Sequence, residues 1–210
     1  MAKNFAEAQK RALKILQILE KHNPRARIVL SYSNSIQLLV AVILSAQCTD
    51  KKVNEVTAGL FKKHKTARDF AKADLGIFER EIRPAGFYRT KAKHIIAAAK
   101  IIQDKFGGKL PRTMEDMVKL PGVGRKTANI VLGIAFGVID GIAVDTHVRR
   151  LARHFGWTTE NNPDKIEQDL MRLWPKKYWL KGAYLLQNYG RTICTARKCR
   201  CKEFYLKNFV

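Results

Sequence analysis

Apolar residues recur along this chain at steps of three and four. Phe5, Ala8, Ala12, Ile15 and Leu19 form one such series, Ile95, Ala99, Ile102 and Phe106 a second, and Val144, Val148, Leu151 and Phe155 a third. An α-helix turns once in about 3.6 residues, so each series lines one side of a helix and predicts a buried stripe. Between the series lie the residues that stop or start helices: Asn23-Pro24, Pro84-Ala85-Gly86, Gly107-Gly108, Pro121-Gly122 and Asn162-Pro163. No segment alternates apolar and polar residues between hairpin turns, which is what a half-buried strand needs. The predicted fold class is all-α, with roughly nine or ten short helices. The sequence holds no low-complexity stretch or flexible linker, so any two domains have to pack closely.

Composition narrows the function. At 210 residues with 46% hydrophobic residues the chain can build one sizeable core or two small ones. Forty Lys and Arg stand against 18 Asp and Glu, a formal net charge of +22. That excess goes well beyond what solubility requires and predicts a polyanionic partner, nucleic acid first, with a merely soluble basic surface as the alternative. The excess is densest from Arg172 to Lys207, where Glu203 is the single acid. The apolar run Ile36 to Ala46 is too short to span a bilayer and is interrupted by Gln37, so no membrane helix is expected. The first residues mix charges into an amphipathic pattern, so export is not expected. The expected location is therefore cytoplasmic, with the nucleoid, and the four cysteines are expected to be thiols.

Candidate chemistry concentrates in two places. Leu120-Pro121-Gly122-Val123-Gly124-Arg125-Lys126-Thr127-Ala128-Asn129 lies between an amphipathic run, Thr113 to Lys119, and an apolar helix. Pro121 is expected to end the first helix, and the two glycines allow a sharp turn and a close approach by a partner. The following helix presents its unpaired N–H groups at that point, a site that suits phosphate. A Gly-Val-Gly turn is also an ordinary connector, and both readings stay open. Lys126 falls in the first turn of the second helix, where the helix dipole disfavours an ammonium by roughly 0.3–1 kcal/mol. Nucleophilic use of its amine would also need desolvation or neighbouring cations such as Arg125; a solvated charge or phosphate contact is the plain alternative. Further along, Ile142-Ala143-Val144 delivers Asp145 to the start of another helix. Asp145 reads as an N-cap and, because a cap is held rigidly, equally as a preorganised carboxylate. His147 reads as a packing residue, and no His-Glu-x-x-His or clustered-carboxylate spacing points to a metal hydrolase.

Taken together, Leu120 to Asn129 followed by Val144-Asp145-Thr146-His147-Val148 resembles the signature of the endonuclease III family, bifunctional DNA glycosylases of the helix-hairpin-helix superfamily. Leu44 to Asp50, Gly86 to Ala92 and Arg191 to Lys198 resemble further family segments, in order, over essentially the whole chain. The resemblance implies two helical domains with a DNA-binding cleft between them. The first would be a central helical barrel over residues 28–138, carrying the helix-hairpin-helix at about 113–135. The second would be assembled from residues 1–27 and 139–210 and would carry Asp145. It implies a base-excision-repair enzyme, a DNA N-glycosylase and AP lyase, that removes damaged, most typically oxidised, pyrimidines from double-stranded DNA. In this chemistry Lys126 attacks the deoxyribose C1′, Asp145 assists across the cleft, and the resulting Schiff base permits β-elimination. Gly122, Val123, Gly124 and Arg125 would hold the DNA backbone, while Gln47 and Phe87 would fill the gap left by the flipped nucleotide. Without the resemblance Phe87 reads as core and Gln47 as a helix-terminal hydrogen bond. A monomer is expected. Two other readings remain: a glycosylase that does not cut the strand, and a non-catalytic helix-hairpin-helix DNA-binding protein.

The chain departs from the family at one point. The resemblance implies a [4Fe–4S] cluster on four cysteines with six, two and five residues between them. Counted from Cys194, those spacings reach Cys201, Phe204 and Val210, so two ligands match and two are apolar. Cys199 could be a third thiolate, whereas Cys48 belongs to a distant segment. The expectation is that no metal or cofactor is bound and that Phe204, Tyr205, Phe209 and Val210 pack the corner as an apolar plug.

Overall fold

The computed structural model describes residues 2–209 and contains eleven α-helices among them, with no strand. The chain divides into two compact units, Val29–Asp140 and Met1–Ile28 with Gly141–Val210.

The Val29–Asp140 unit is built around α2 (Ser35–Leu44). Every residue of that helix from Ile36 to Leu44 is buried. A helix that is apolar on all sides has to be surrounded, and α8 (Arg125–Phe136), α3 (Asp50–Lys63) and α6 (Tyr88–Phe106) cover it. The one polar residue inside it is satisfied: Gln37 accepts the Ser33 N–H at 2.9 Å and donates to the Phe61 and His64 carbonyls at 3.3 Å. Short α4 (Ala67–Ala71) and α5 (Leu75–Ile82) pack against α6, and Phe70 and Phe78 meet edge to face with ring centres 6.1 Å apart. Ile95, Ala99 and Ile102 of the α6 stripe are buried as their spacing predicts, Phe106 at its end is only half-buried, and α6 stops at Gly107, whose φ of 58° suits glycine.

The second unit packs α1 (Ala2–His22), α9 (Thr146–His154), α10 (Pro163–Leu173) and α11 (Trp179–Thr192) around Ile15, Leu16, Leu151, Phe155, Leu170 and Leu186. Asn162 caps α10 and Pro163 opens it, as the Asn-Pro pair predicts. The stripe Val144, Val148, Leu151 and Phe155 is buried throughout. The α1 stripe is buried only from Ala12 onward; Phe5 is 47% exposed and Ala8 is exposed too. Periodicity sets which side of a helix is apolar but not how far a neighbour extends along it, so the first turns of α1 project past their partner.

That asymmetry is testable. Leu39→Ala, in the fully enclosed α2, is expected to lower unfolding free energy by about 2–5 kcal/mol, whereas Phe5→Ala changes it by no more than about 0.5 kcal/mol in denaturant titrations.

Candidate catalytic and DNA-binding site

Thr113 starts the hairpin by capping α7 (Met114–Met117), accepting the Asp116 N–H at 3.2 Å. The first helix is shorter than the run Thr113 to Lys119. Its end tightens into i+3 bonds, Lys119 N–H to Asp116 O at 3.3 Å and Leu120 N–H to Met117 O at 3.2 Å, before Pro121. Leu120 and Val123 are buried and anchor the loop, and Val123 also donates its N–H to Leu120 O at 3.1 Å. Gly122 and Gly124 are exposed for different reasons. Gly122 has φ of 77°, and a Cβ there would lie 2.9 Å from the Cβ of His94, so only glycine fits. Gly124 has φ of −89° and open space where a Cβ would point. It caps α8 with no side-chain hydrogen bond, so the first-turn N–H groups of α8 lie beside an exposed backbone. Arg125 and Lys126 occupy that first turn and are both exposed.

In the other unit, the buried segment Ile142-Ala143-Val144 is held by Glu167, which accepts the Ile142 N–H at 2.9 Å. This places Asp145 as the N-cap of α9, with Oδ1 accepting the Val148 N–H at 2.8 Å. One turn on, His147 packs so tightly against Gly190 that a Cβ there would come within 2.8 Å of its Nδ1. Burial, with Arg191 and Arg150 adding to it and Asp145 opposing, holds its imidazole below its ordinary pKa.

Gln47 and Phe87 share an unusual backbone. Among the described residues they are the non-glycine positions with positive φ, 52° and 47°. Such a conformation costs an ordinary residue roughly 1–2 kcal/mol. Both side chains are nonetheless exposed, Phe87 at 64%, so Phe87 is not the core residue it reads as without the resemblance. The strain is held in place by a residue that sequence reasoning passed over. Lys91, buried on α6, donates its Nζ to the Leu44 carbonyl at the end of α2 (2.8 Å) and to the Ala85 carbonyl (2.9 Å). Each carbonyl lies two or three residues before one of the strained positions. Burial pushes this ammonium below its ordinary pKa. The signal was in the pattern: Lys91 is in phase with Ile95, Ala98 and Ile102, a charge in an apolar stripe.

Three of the four cysteines come together near the C-terminus, and a residue the spacing analysis did not include joins them. The ligand atoms of His154, Cys194, Cys199 and Cys201 lie within 4.8 Å of one another, a group that could hold a metal ion. Cys48 stands apart, in the other unit beside Gln47. The corner expected to hold an apolar plug contains Tyr205, stacked on His22 at 3.8 Å, and the fully buried Leu206. Phe209 packs against the same core, while half-exposed Phe204 lies under the Arg200 guanidinium at 5.1 Å. Val210 lies outside the described residues.

Residues 40–176 match the model of the HhH-GPD superfamily of base excision DNA repair proteins. Endonuclease III of Synechocystis sp. is 45% identical over 206 residues, covering 98% of this chain and 94% of the relative. A solved non-covalent complex of endonuclease III with DNA superposes with a TM-score of 0.91 at 39% identity, covering 96% of this chain and 94% of that one. A trapped covalent endonuclease III–DNA intermediate gives the same figures. No helix of the described residues is long and apolar enough to cross a membrane.

Two substitutions test this geometry by thermal unfolding. Lys91→Met strands two buried carbonyls and is expected to cost about 1–3 kcal/mol. Gly122→Ala is expected to destabilise by at least about 1 kcal/mol, while Gly124→Ala leaves stability within about 0.5 kcal/mol.

Proposed function

The chain belongs to the endonuclease III family of the HhH-GPD base excision DNA repair superfamily, and from that premise we propose that its glycosylase and AP lyase chemistry runs through Lys126 with Asp145 as carboxylate partner. It acts on double-stranded DNA, and its net charge of +22 supplies the sequence-independent attraction. One observation carries the assignment. Lys126 is an exposed amine in the first turn of a helix whose cap, Gly124, leaves room for a phosphate. A DNA backbone held by the N–H groups of that turn brings a sugar within reach of the neighbouring amine.

The proposed sequence of bonds follows. The Lys126 nitrogen attacks C1′ of the damaged nucleotide as the glycosidic bond breaks, and the base departs with the bonding pair and takes up a proton. The sugar ring opens to a Schiff base between C1′ and the lysine. That iminium withdraws electrons from C2′, a C2′ proton is lost, and the 3′ phosphate leaves by β-elimination. The iminium is the electron sink, so the cut itself needs no metal. Asp145 stabilises the positive charge that develops on the sugar. Its Oδ1 is engaged by the Val148 N–H, which fixes the orientation of the carboxylate.

C1′ is reached only when the nucleotide leaves the stack. Gln47 and Phe87 are assigned to filling the vacated space, supported by two exposed side chains on strained backbones that a fold alone has no reason to keep. Gly122, Gly124 and Arg125 are assigned to the DNA backbone, with buried Val123 as their anchor. The substrate class assigned to the base is the oxidised pyrimidines. The chain is further taken to lack a four-thiolate [4Fe–4S] cluster. In support, Phe204 stands under Arg200 where the family spacing calls for a thiolate.

Three variants separate chemistry from folding and binding. Lys126→Gln is expected to abolish the borohydride-trapped adduct with abasic DNA and slow nicking at least about a hundredfold; unaltered nicking removes the proposal. Asp145→Asn keeps an equally good cap, so stability is expected to hold within about 0.5 kcal/mol while base release falls roughly 10²- to 10⁴-fold. Gly124→Ala, already expected to fold normally, is expected to weaken DNA binding measured by fluorescence anisotropy. A non-catalytic binding module would show no turnover in any form.

A further inference from the structure

We propose that His154, Cys194, Cys199 and Cys201 bind a single zinc ion as a structural site. Nothing in the glycosylase chemistry asks for these residues to meet, yet the fold brings them together from two elements.

After α11 the chain turns back on itself. Cys194 donates its N–H to Tyr189 O at 3.0 Å, Thr195 N–H bonds Lys198 O at 2.9 Å, and Cys194 and Cys199 face each other as an isolated antiparallel bridge. Arg200 N–H closes the loop on Ile193 O at 3.3 Å, and Cys201 follows, fully buried, at the start of a 3₁₀ turn. The knuckle thus points three sulfurs the same way. His154, the last residue of α9, brings Nε2 to 3.8 Å from the Cys199 sulfur, and the sulfurs of Cys199 and Cys201 are 3.0 Å apart.

These separations select among metals. A tetrahedral ion with Zn–S of about 2.3 Å and Zn–N of about 2.0–2.1 Å spaces its ligand atoms roughly 3.5–3.8 Å apart. The four ligand atoms here lie within 4.8 Å of one another, with Cys199 Sγ 3.8 Å from His154 Nε2 and 3.0 Å from Cys201 Sγ, so they bracket that spacing and the sulfur pair has to open by under about 1 Å to seat the ion. They do not fit a [4Fe–4S] cube, in which each thiolate binds a different iron and the sulfurs stand further apart. The cube would also need thiolates where this chain has Phe204 and Val210. Three thiolates and one imidazole form a usual donor set for structural zinc. The charge is also provided for: zinc with three thiolates and a neutral imidazole carries −1, and Arg150 directs one guanidinium nitrogen at the Cys194 sulfur (3.2 Å) and the other at the Gly190 carbonyl (3.2 Å). Tyr189, buried and interacting with Cys201 and Cys194, walls the buried side of the site.

The ion fastens the C-terminal end of α9 to the C-terminal knuckle. Because α9 begins at Asp145, zinc stabilises the helix that carries the assigned carboxylate. This replaces the expectation of a metal-free corner, while Tyr205, Leu206 and Phe209 pack into the core of this unit.

The test uses the full chain purified without added metal. Plasma mass spectrometry is expected to find about one zinc per chain and no iron, with no acid-labile sulfide. After chelator treatment, Co²⁺ is expected to restore the site with the intense visible bands of tetrahedral thiolate-bound cobalt. Cys199, although exposed, resists alkylation until the zinc is removed. His154→Ala lowers zinc occupancy and His154→Cys restores it. Iron with labile sulfide overturns the proposal, as does metal-free protein with four free thiols or a Cys199–Cys201 disulfide. If the His154 variants do not fold, the metal content and cobalt spectrum of the unaltered chain still decide.

Discussion

A helix leaves about four N–H groups unpaired at its start and four carbonyls at its end, and these groups are the raw material of this protein's machinery. Asp145 answers the N–H groups of α9. Gly124 leaves those of α8 without a side-chain cap, beside Lys126. The carbonyl at the end of α2 is met by the Lys91 ammonium, and Phe87 is itself the N-cap of α6 in a left-handed conformation. Short helices multiply such ends, which gives a chain of modest length many rigid points from which to present chemistry.

The hairpin illustrates how sterics and electrostatics divide the work. Gly122 is needed by the fold, because its φ and the wall made by His94 exclude any side chain. Gly124 is not, because its conformation is ordinary and its Cβ direction is open. Gly124, a glycine the fold does not require at an uncapped helix start, is the position assigned to the DNA backbone. Backbone N–H groups carry no sequence information, which suits an enzyme whose target is defined by damage and not by neighbouring bases.

The Val29–Asp140 unit also concentrates its strain. Two left-handed non-glycine residues, each disfavoured by roughly 1–2 kcal/mol, persist because the surrounding packing over-determines them. Helix α6 does much of that work: Phe87 opens it, Lys91 ties the two strained turns together, and His94 backs the hairpin glycine. A single rigid element therefore coordinates the assigned wedges with the assigned backbone grip.

By itself the sequence determined the helical class, most of the buried stripes, the stops at Asn-Pro and Gly-Gly, the need for a polyanionic partner, and Lys126 and Asp145 as the pair to examine. These are local properties, set by a period of 3.6 residues, by cap and turn chemistry and by total charge, so they survive without coordinates. Only the tertiary structure decided that Phe5 and Ala8 lie outside the core, that Phe87 is exposed on a strained backbone, that Lys91 bridges two loops, and that His154 joins Cys194, Cys199 and Cys201. Each depends on where a second segment, distant in sequence, comes to rest. Spacing along one chain cannot encode that, because a side chain's chemistry is fixed by its neighbours in space.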